Sequence, residues 1–211
     1  MKLLVLGASG KTGSEVVRQA LDAGHEVTAF VRDRAKLSIT DAGLRVSTGD
    51  AMSFDDLRSA LQGQDAVIST LGASKSSEKL IAPSTEALIK AMREAGVKRV
   101  VMMSSFLASP SYKPGGLSKL LGFATKGMVT DKQAGEARLR QSDLDWTVVY
   151  AARLKNGEKT GNYRIVAEGE RFGMSNSITR ADVADRLLRA GTSNESAHQS
   201  LVITANGANK G

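Results

Sequence analysis

Apolar positions along this chain alternate between two periods. Residues 3–6 are a continuous apolar run stopped by Gly7, the pattern of a strand buried on both faces. Val16, Val17, Ala20 and Leu21 then recur on one helical face up to Gly24, a good C-terminal cap. Further strands are predicted at residues 27–31, 44–46, 66–68, 97–103 and 146–150. One helix starts near Ser53 and carries Leu57, Ala60 and Leu61 on one face. Another has Pro83 in its first turn, an inner stripe of Ala87, Leu88, Ala91 and Met92, and a stop at Gly96. A third spans about residues 128–141. Between them, residues 106–127 contain Ser109-Pro110, Pro114-Gly115-Gly116, Gly122 and Gly127, which predict a long loop with one helical turn.

Strands alternating with helices predict an α/β fold, a doubly wound parallel sheet with right-handed crossovers. The rhythm changes after residue 151. Asn156-Gly157 signals a turn, residues 163–166 a short strand, Thr179 with Asp182 a helix start, and residues 201–204 a last strand. The expectation is one domain over 1–211: a core over 1–150 and a small C-terminal lobe over 151–211 on the substrate side.

Composition narrows the chemistry. There is no cysteine, hence no disulfide, thiolate metal site or cysteine nucleophile. With only His25 and His198, a histidine-rich metal site or a Ser/His/Asp triad is not expected, and no metal is predicted. No apolar run approaches about 18 residues, so no membrane span is predicted. The cysteine-free composition fits a reducing cytoplasm. The net charge of +7 is spread along the chain. Basic residues neither cluster nor interleave with the few aromatics, which argues against nucleic acid as a partner. An anionic small molecule or a solvated basic surface accounts for the bias. Any demanding chemistry is expected to come from a bound cofactor.

The strongest signal is Gly7-Ala8-Ser9-Gly10-Lys11-Thr12-Gly13, placed between the first strand and the first helix. Gly7 suits a sharp turn, Gly10 a close approach of backbone to a pyrophosphate, and Gly13 close packing of helix on sheet. The amide groups of the helix N-terminus would face the phosphates. This context marks a Rossmann-like dinucleotide-binding loop. At the end of the second strand an acidic residue would bind the ribose of NAD, and an arginine the 2′-phosphate of NADP. Arg32 holds the strand end, followed by Asp33 and Arg34, so NADP(H) is preferred and NAD(H) is the alternative.

These motifs, with Gly24-His25-Glu26-Val27, Val31-Arg32-Asp33, Gly49-Asp50 and Ser104-Ser105-Phe106, resemble the atypical short-chain dehydrogenase/reductases. Within them the chain is similar to the single-domain NAD(P)H-binding group that includes biliverdin reductase B (flavin reductase) and the NmrA-like proteins. The resemblance spans nearly the whole chain, including Ile178-Thr179-Arg180-Ala181-Asp182-Val183-Ala184. It implies that Ser9, Lys11, Thr12 and Arg32 contact phosphates, that Asp50 and Ala51 contact adenine, and that Thr70, Leu71 and Gly72 border the adenine and its ribose. It places Ser104 beside the nicotinamide as the candidate catalytic residue. Asp50 is equally suited to forming a turn after Gly49, and Ser104 to satisfying backbone at its strand end.

Two departures qualify what carries over. The wider superfamily's Tyr-x-x-x-Lys pair is missing, because Tyr112, Tyr150 and Tyr163 are followed four residues on by Gly116, Leu154 and Ala167. That argues against carbonyl reduction and sugar epimerisation by the standard route. After the sixth strand, where relatives often have Arg-Pro or Pro-Pro, this chain has Ala151-Ala152-Arg153. Histidines near the substrate of biliverdin reductase B correspond to Lys132 and Arg153.

A conjugated ring accepts a hydride with little acid catalysis, so the expected function is an NADPH-dependent reduction of a flavin, quinone or bilin-like acceptor. The loop at 106–127 would serve as a lid. Tyr112 would stack or donate a proton, and Lys126, Lys132 and Arg153 would hold an anionic substrate unless they are solvated surface. The alternative is an NADP(H)-binding redox sensor of the NmrA-like kind without turnover, and a nucleotide-sugar epimerase or dehydratase comes third.

Overall fold

The computed structural model describes residues 1–72, 79–112, 118–168, 170 and 172–207, with backbone alone for 118–124. Among them an eight-stranded sheet carries helices on both faces. The strands are β1 (Lys2–Leu6), β2 (Glu26–Val31), β3 (Leu44–Thr48), β4 (Ala66–Ser69), β5 (Arg99–Ser105), β6 (Asp145–Ala151), β8 (Tyr163–Ile165) and β10 (Gln199–Ala205), in the order β3-β2-β1-β4-β5-β6-β10-β8. All pair in parallel except β8, which lies antiparallel on β10. Strands β7 (Arg153–Lys155) and β9 (Ser177–Thr179) form a separate parallel pair. The helices are α1 (Lys11–Asp22), α2 (Phe54–Ala60), α3 (Ile81–Ala95), α4 (Ser118–Arg140) and α5 (Arg180–Gly191). Among the described residues no helix is long and apolar enough to cross a membrane.

Continuous apolar strands follow from this layering. Leu3 and Val5 join a buried cluster with Val16, Val17, Val183 and Leu187 under α1 and α5. Leu4 and Leu6 point the other way, into a cluster with Leu57, Leu88, Met92 and Leu139 under α2, α3 and α4. The two-residue period of the strand sends successive side chains to opposite layers. The strand order reverses between β1 and β4, and that switch point sets the carboxyl ends of these strands apart as the crevice.

Local signals placed most elements. Ser53 caps α2 by accepting the Asp56 amide at 3.3 Å. Thr179 caps α5 by accepting that of Asp182 at 3.1 Å. Helix α3 closes as expected at Gly96, where the Val97 amide reaches back to the Met92 carbonyl at 3.0 Å.

The reading of residues 106–127 as a loop is corrected in part. After a short 3-10 turn at Phe106–Ala108, α4 already begins at Ser118, ten residues before its expected start. Pro114-Gly115-Gly116 lie outside the described residues. Gly122 and Gly127, whose local propensity predicts a break, are inside the helix. Gly135, also within α4, allows close contact with α3, since a Cβ there would stand 3.0 Å from both Ile81 Cγ2 and Thr85 Oγ1. Tertiary packing has overridden a weak local propensity.

The tail divides between two settings. β10 and α5 extend the main sheet and its helical layer, while β7 and β9 sit beyond the carboxyl end of β6.

Candidate functional site

The glycine loop leaves β1 at Gly7, whose φ of +75° belongs to the left-handed region that a side chain disfavours. The Gly10 amide closes a turn onto the Gly7 carbonyl at 2.9 Å. At Gly13 a Cβ would stand 2.1 Å from the Gly7 carbonyl oxygen and 2.7 Å from Thr70 Oγ1, so only hydrogen fits. The Thr70 hydroxyl lies 2.9 Å from the Leu6 carbonyl and 3.2 Å from that of Gly7, donating to this pair and tying β4 to the loop. Helix α1 therefore starts at a fixed place. Its first residue is preceded by Gly10, which offers no side-chain cap, and its first turn holds no acidic residue. The open amide groups and the positive end of the dipole suit an anion.

Two hollows meet at this loop and share Gly10, Thr70, Leu71 and Gly72. The narrower, about 190 Å³, runs past Gly7 and Ser9 to Arg32, Asp50 and Ala51, with Phe30 among its lining residues. A Cβ on Gly10 would crowd only the Gly7 carbonyl, at 3.2 Å, so the backbone itself borders open space. Asp33 is absent from this lining, and its carboxylate accepts the Ala35 amide at 3.0 Å to start the 3-10 turn Arg34–Lys36. Arg32 is thus the charged residue presented from the end of β2. Asp50 lines this hollow, and its Oδ1 accepts the Met52 amide at 2.9 Å in a turn. These groups fit a dinucleotide: dipole and backbone for pyrophosphate, a guanidinium for a further phosphate, an apolar face for a base.

The wider hollow, about 590 Å³, extends from Lys11, Thr12 and Gly13 over the ends of β5 and β6 to α4. Met103, Phe106, Met128 and Leu154 supply apolar surface, and Ser104, Lys132, Arg153 and Arg180 supply polar groups. Lys132 is 8% exposed. Burial pulls its ammonium below the ordinary lysine value, against the opposing pull of Glu136 and Asp131. Ser104 donates to Glu136 Oε1 at 2.5 Å. Arg180 donates to Asn156 Oδ1 at 2.7 Å, within a turn that Asp182 holds by accepting the Thr160 and Gly161 amides at 2.8 and 2.9 Å.

Every residue expected at the dinucleotide lines one of the two hollows, as do Lys132 and Arg153. Lys126 is exposed on α4 and lines neither. Tyr112 stands one ring back, edge-on to Phe106 at 5.3 Å. Sequence reasoning missed Arg180, Glu136 and Asp131. The four-residue spacing of Lys132 and Glu136 was a usable signal. Nothing local marked Asp131, which accepts the amides of Leu80, Ile81 and Ala82 at 2.9, 2.7 and 3.0 Å and so caps α3 from another helix.

A hollow of about 610 Å³ at the amino ends of the strands is lined by Arg99, Asp145 and the last turn of α5. A helix C-terminus carries the wrong dipole for phosphate, and the Arg99 guanidinium is already spent on the Ala190 and Asp145 carbonyls.

Comparison with known proteins bears on the same region. The model of the family described as NAD(P)H-binding matches residues 7–193. An uncharacterised chloroplastic protein of Arabidopsis thaliana is 31% identical over 97% of this chain and 76% of its own length. Among solved structures, the anaerobilin reductase ChuY of Escherichia coli O157:H7 superposes with a TM-score of 0.80 at 22% identity, covering 98% of both chains. A short-chain dehydrogenase/reductase of Veillonella parvula, in complex with NADP, does so with a TM-score of 0.81 at 18% identity, covering 99% of this chain and 96% of its own. At such identities the likeness is one of fold.

Proposed function

The chain belongs to the NAD(P)H-binding family, and on that premise we propose that it is an NADPH-dependent reductase delivering a hydride to a conjugated ring such as a flavin, quinone or bilin. The observation that carries this reading is the junction of two unlike hollows at one glycine loop. One offers helix dipole, backbone and Arg32; the other offers apolar walls with Lys132, Arg153 and Arg180. Its finer grouping with biliverdin reductase B and the NmrA-like proteins belongs to the same proposal.

The bound nicotinamide supplies the hydride. The chain does the rest. Lys11 and the amides at the start of α1 hold phosphate. Arg32 reads the 2′-phosphate, and Asp33, committed to its turn, leaves that role uncontested. Thr70, Leu71 and Gly72 border the junction. Met103 and Phe106 give a flat ring an apolar bed and exclude water. Lys132 keeps a proton at Nζ, and its burial makes that proton easier to give up than in a solvated lysine. Arg153 and Arg180 draw carboxylate or phosphate groups of the acceptor to the mouth.

Paired titrations with NADPH and NADH, followed by an acceptor panel of flavins, quinones and bilins, test the reading. NADPH is expected to bind more tightly and to be oxidised by at least one class. Equal affinities would refute the role of Arg32. Tight binding with no turnover across the panel would favour the redox-sensor alternative.

A further inference from the structure

Behind the wider hollow lies a buried carboxylate. Glu136, one turn beyond Lys132 on α4, is 1% exposed. Its Oε1 accepts the Ser104 hydroxyl at 2.5 Å. Its Oε2 accepts the Tyr150 hydroxyl at 2.5 Å and an Arg140 N–H at 3.2 Å. Arg140 also donates to the Tyr150 oxygen at 2.5 Å and stands over the Trp146 ring at 5.9 Å. Glu136 thus joins α4 to the ends of β5 and β6, with Arg140 as its counter-ion.

The donor directions follow from chemistry. A carboxylate has no hydrogen to give. Burial and the adjacent carboxylate push the Tyr150 phenol up, so it keeps its proton. The single Ser104 hydrogen is therefore spent on Glu136, and only lone pairs are left for the hollow that Ser104 lines. Short charge-assisted bonds of this kind hold their direction firmly.

We propose that Glu136 is a positioning residue that fixes the Ser104 hydroxyl as an acceptor toward the cleft, and thereby selects a bound ring that presents an amide N–H to it. The proposal rests on the dinucleotide reading above. Ser104 then orients the ring and gives no proton to the acceptor, which leaves that task to Lys132.

The isosteric variant Glu136→Gln separates this role from a purely structural one. The Gln carbonyl must occupy the Oε2 position, where Tyr150 and Arg140 both donate. Its NH₂ then faces Ser104, whose oxygen accepts and whose hydrogen turns into the cleft. Binding of NADP⁺ and of its 3-acetylpyridine analogue, which keeps the carbonyl and lacks the amide hydrogens, is measured by calorimetry. Wild type is expected to favour the amide about tenfold, one hydrogen bond's worth. Glu136→Gln loses or reverses that preference. Ser104→Ala abolishes it, and the double variant behaves as Ser104→Ala alone. Equal weakening of both ligands in Glu136→Gln, with the wild-type ratio kept, overturns the proposal.

A second readout needs no ligand. The Ser104 hydroxyl proton is expected as a downfield, slowly exchanging NMR resonance that disappears in Ser104→Ala and Glu136→Gln. Its absence from wild type also overturns the proposal. Should neither dinucleotide bind wild type, the dinucleotide reading falls, and the resonance decides the role of Glu136.

Discussion

The two halves of the cleft are made of different material. The narrow half is largely backbone: the glycine turn up to Gly10 at the head of α1, the end of β2 and the turns that follow β3 and β4, drawn from residues 7–10, 30–32, 49–51 and 70–72 together with Leu80. The wide half is side chain, gathered from β5, α4, β7 and the start of α5, which are far apart in sequence. Backbone geometry can be broken by one extra carbon and has few substitutes. A side-chain site can be retuned residue by residue, so the acceptor end is where relatives of one fold can diverge.

The sharpest way to break the glycine loop on which both halves depend is Gly13→Val. The new Cβ would stand 2.1 Å from a backbone carbonyl that cannot move without unmaking the turn. Dinucleotide binding is expected to be lost, with a lowered Tm; calorimetry and thermal melts check both. Retained affinity would refute the loop assignment.

Breaking the wide half at Lys132→Met removes both a proton donor and a cation for the acceptor; NADPH affinity should stay within about threefold while kcat/KM falls by about 10²-fold, the low end of the range for a lost general acid, as suits a ring that takes a hydride with little acid help. If Lys132 is the proton donor, the alkaline limb of the wild-type kcat/KM profile is expected to mark the loss of its proton. Because burial lowers that titration, the limb falls below the ordinary lysine value. The same shift raises stability with pH, since the unfolded chain binds this proton more tightly than the fold does. Over the window between the folded and unfolded values, urea melts should show a stabilising slope that Lys132→Met lacks.

Arg32→Ala is a smaller and more selective change. NADPH should bind about 10-fold more weakly and NADH almost unchanged, because only the former has a phosphate for the guanidinium. Parallel losses for both ligands would mean that Arg32 does not read the 2′-phosphate.

The mildest change is Gly127→Ala. It lies inside α4, with open space around its missing Cβ. Removing the glycine should stabilise the protein by about 0.5–1 kcal/mol, seen as a Tm rise of a few degrees, with cofactor affinity unaltered.

Legibility followed the range of the interactions. The strands β1, β2, β4 and β6, the caps at Ser53 and Thr179 and the glycine loop depend on neighbours within a few residues, and each was readable from its own window. Helix α4 starts earlier than its local sequence predicts because glycines that break a solvated helix are tolerated in one that packs against α3. Lys132 and Arg153 came through the resemblance and do line the wide half; Lys126, six residues before Lys132, is exposed and lines neither hollow. Spacing along a chain says nothing about which turn of an unlocated helix looks inward.

By itself, then, the sequence determined an alternation of buried strands and helices, a turn that only glycine can make and a basic strand end beside it. Local sterics and two short periods are enough for that. Only the tertiary structure decided that Asp131 caps α3 from 50 residues away, that Glu136 takes the hydrogen of Ser104, and that Arg180 stands at the mouth. Those contacts exist because the sheet order brings the ends of β5 and β6 under α4, and no local rule of the chain encodes which residues then meet.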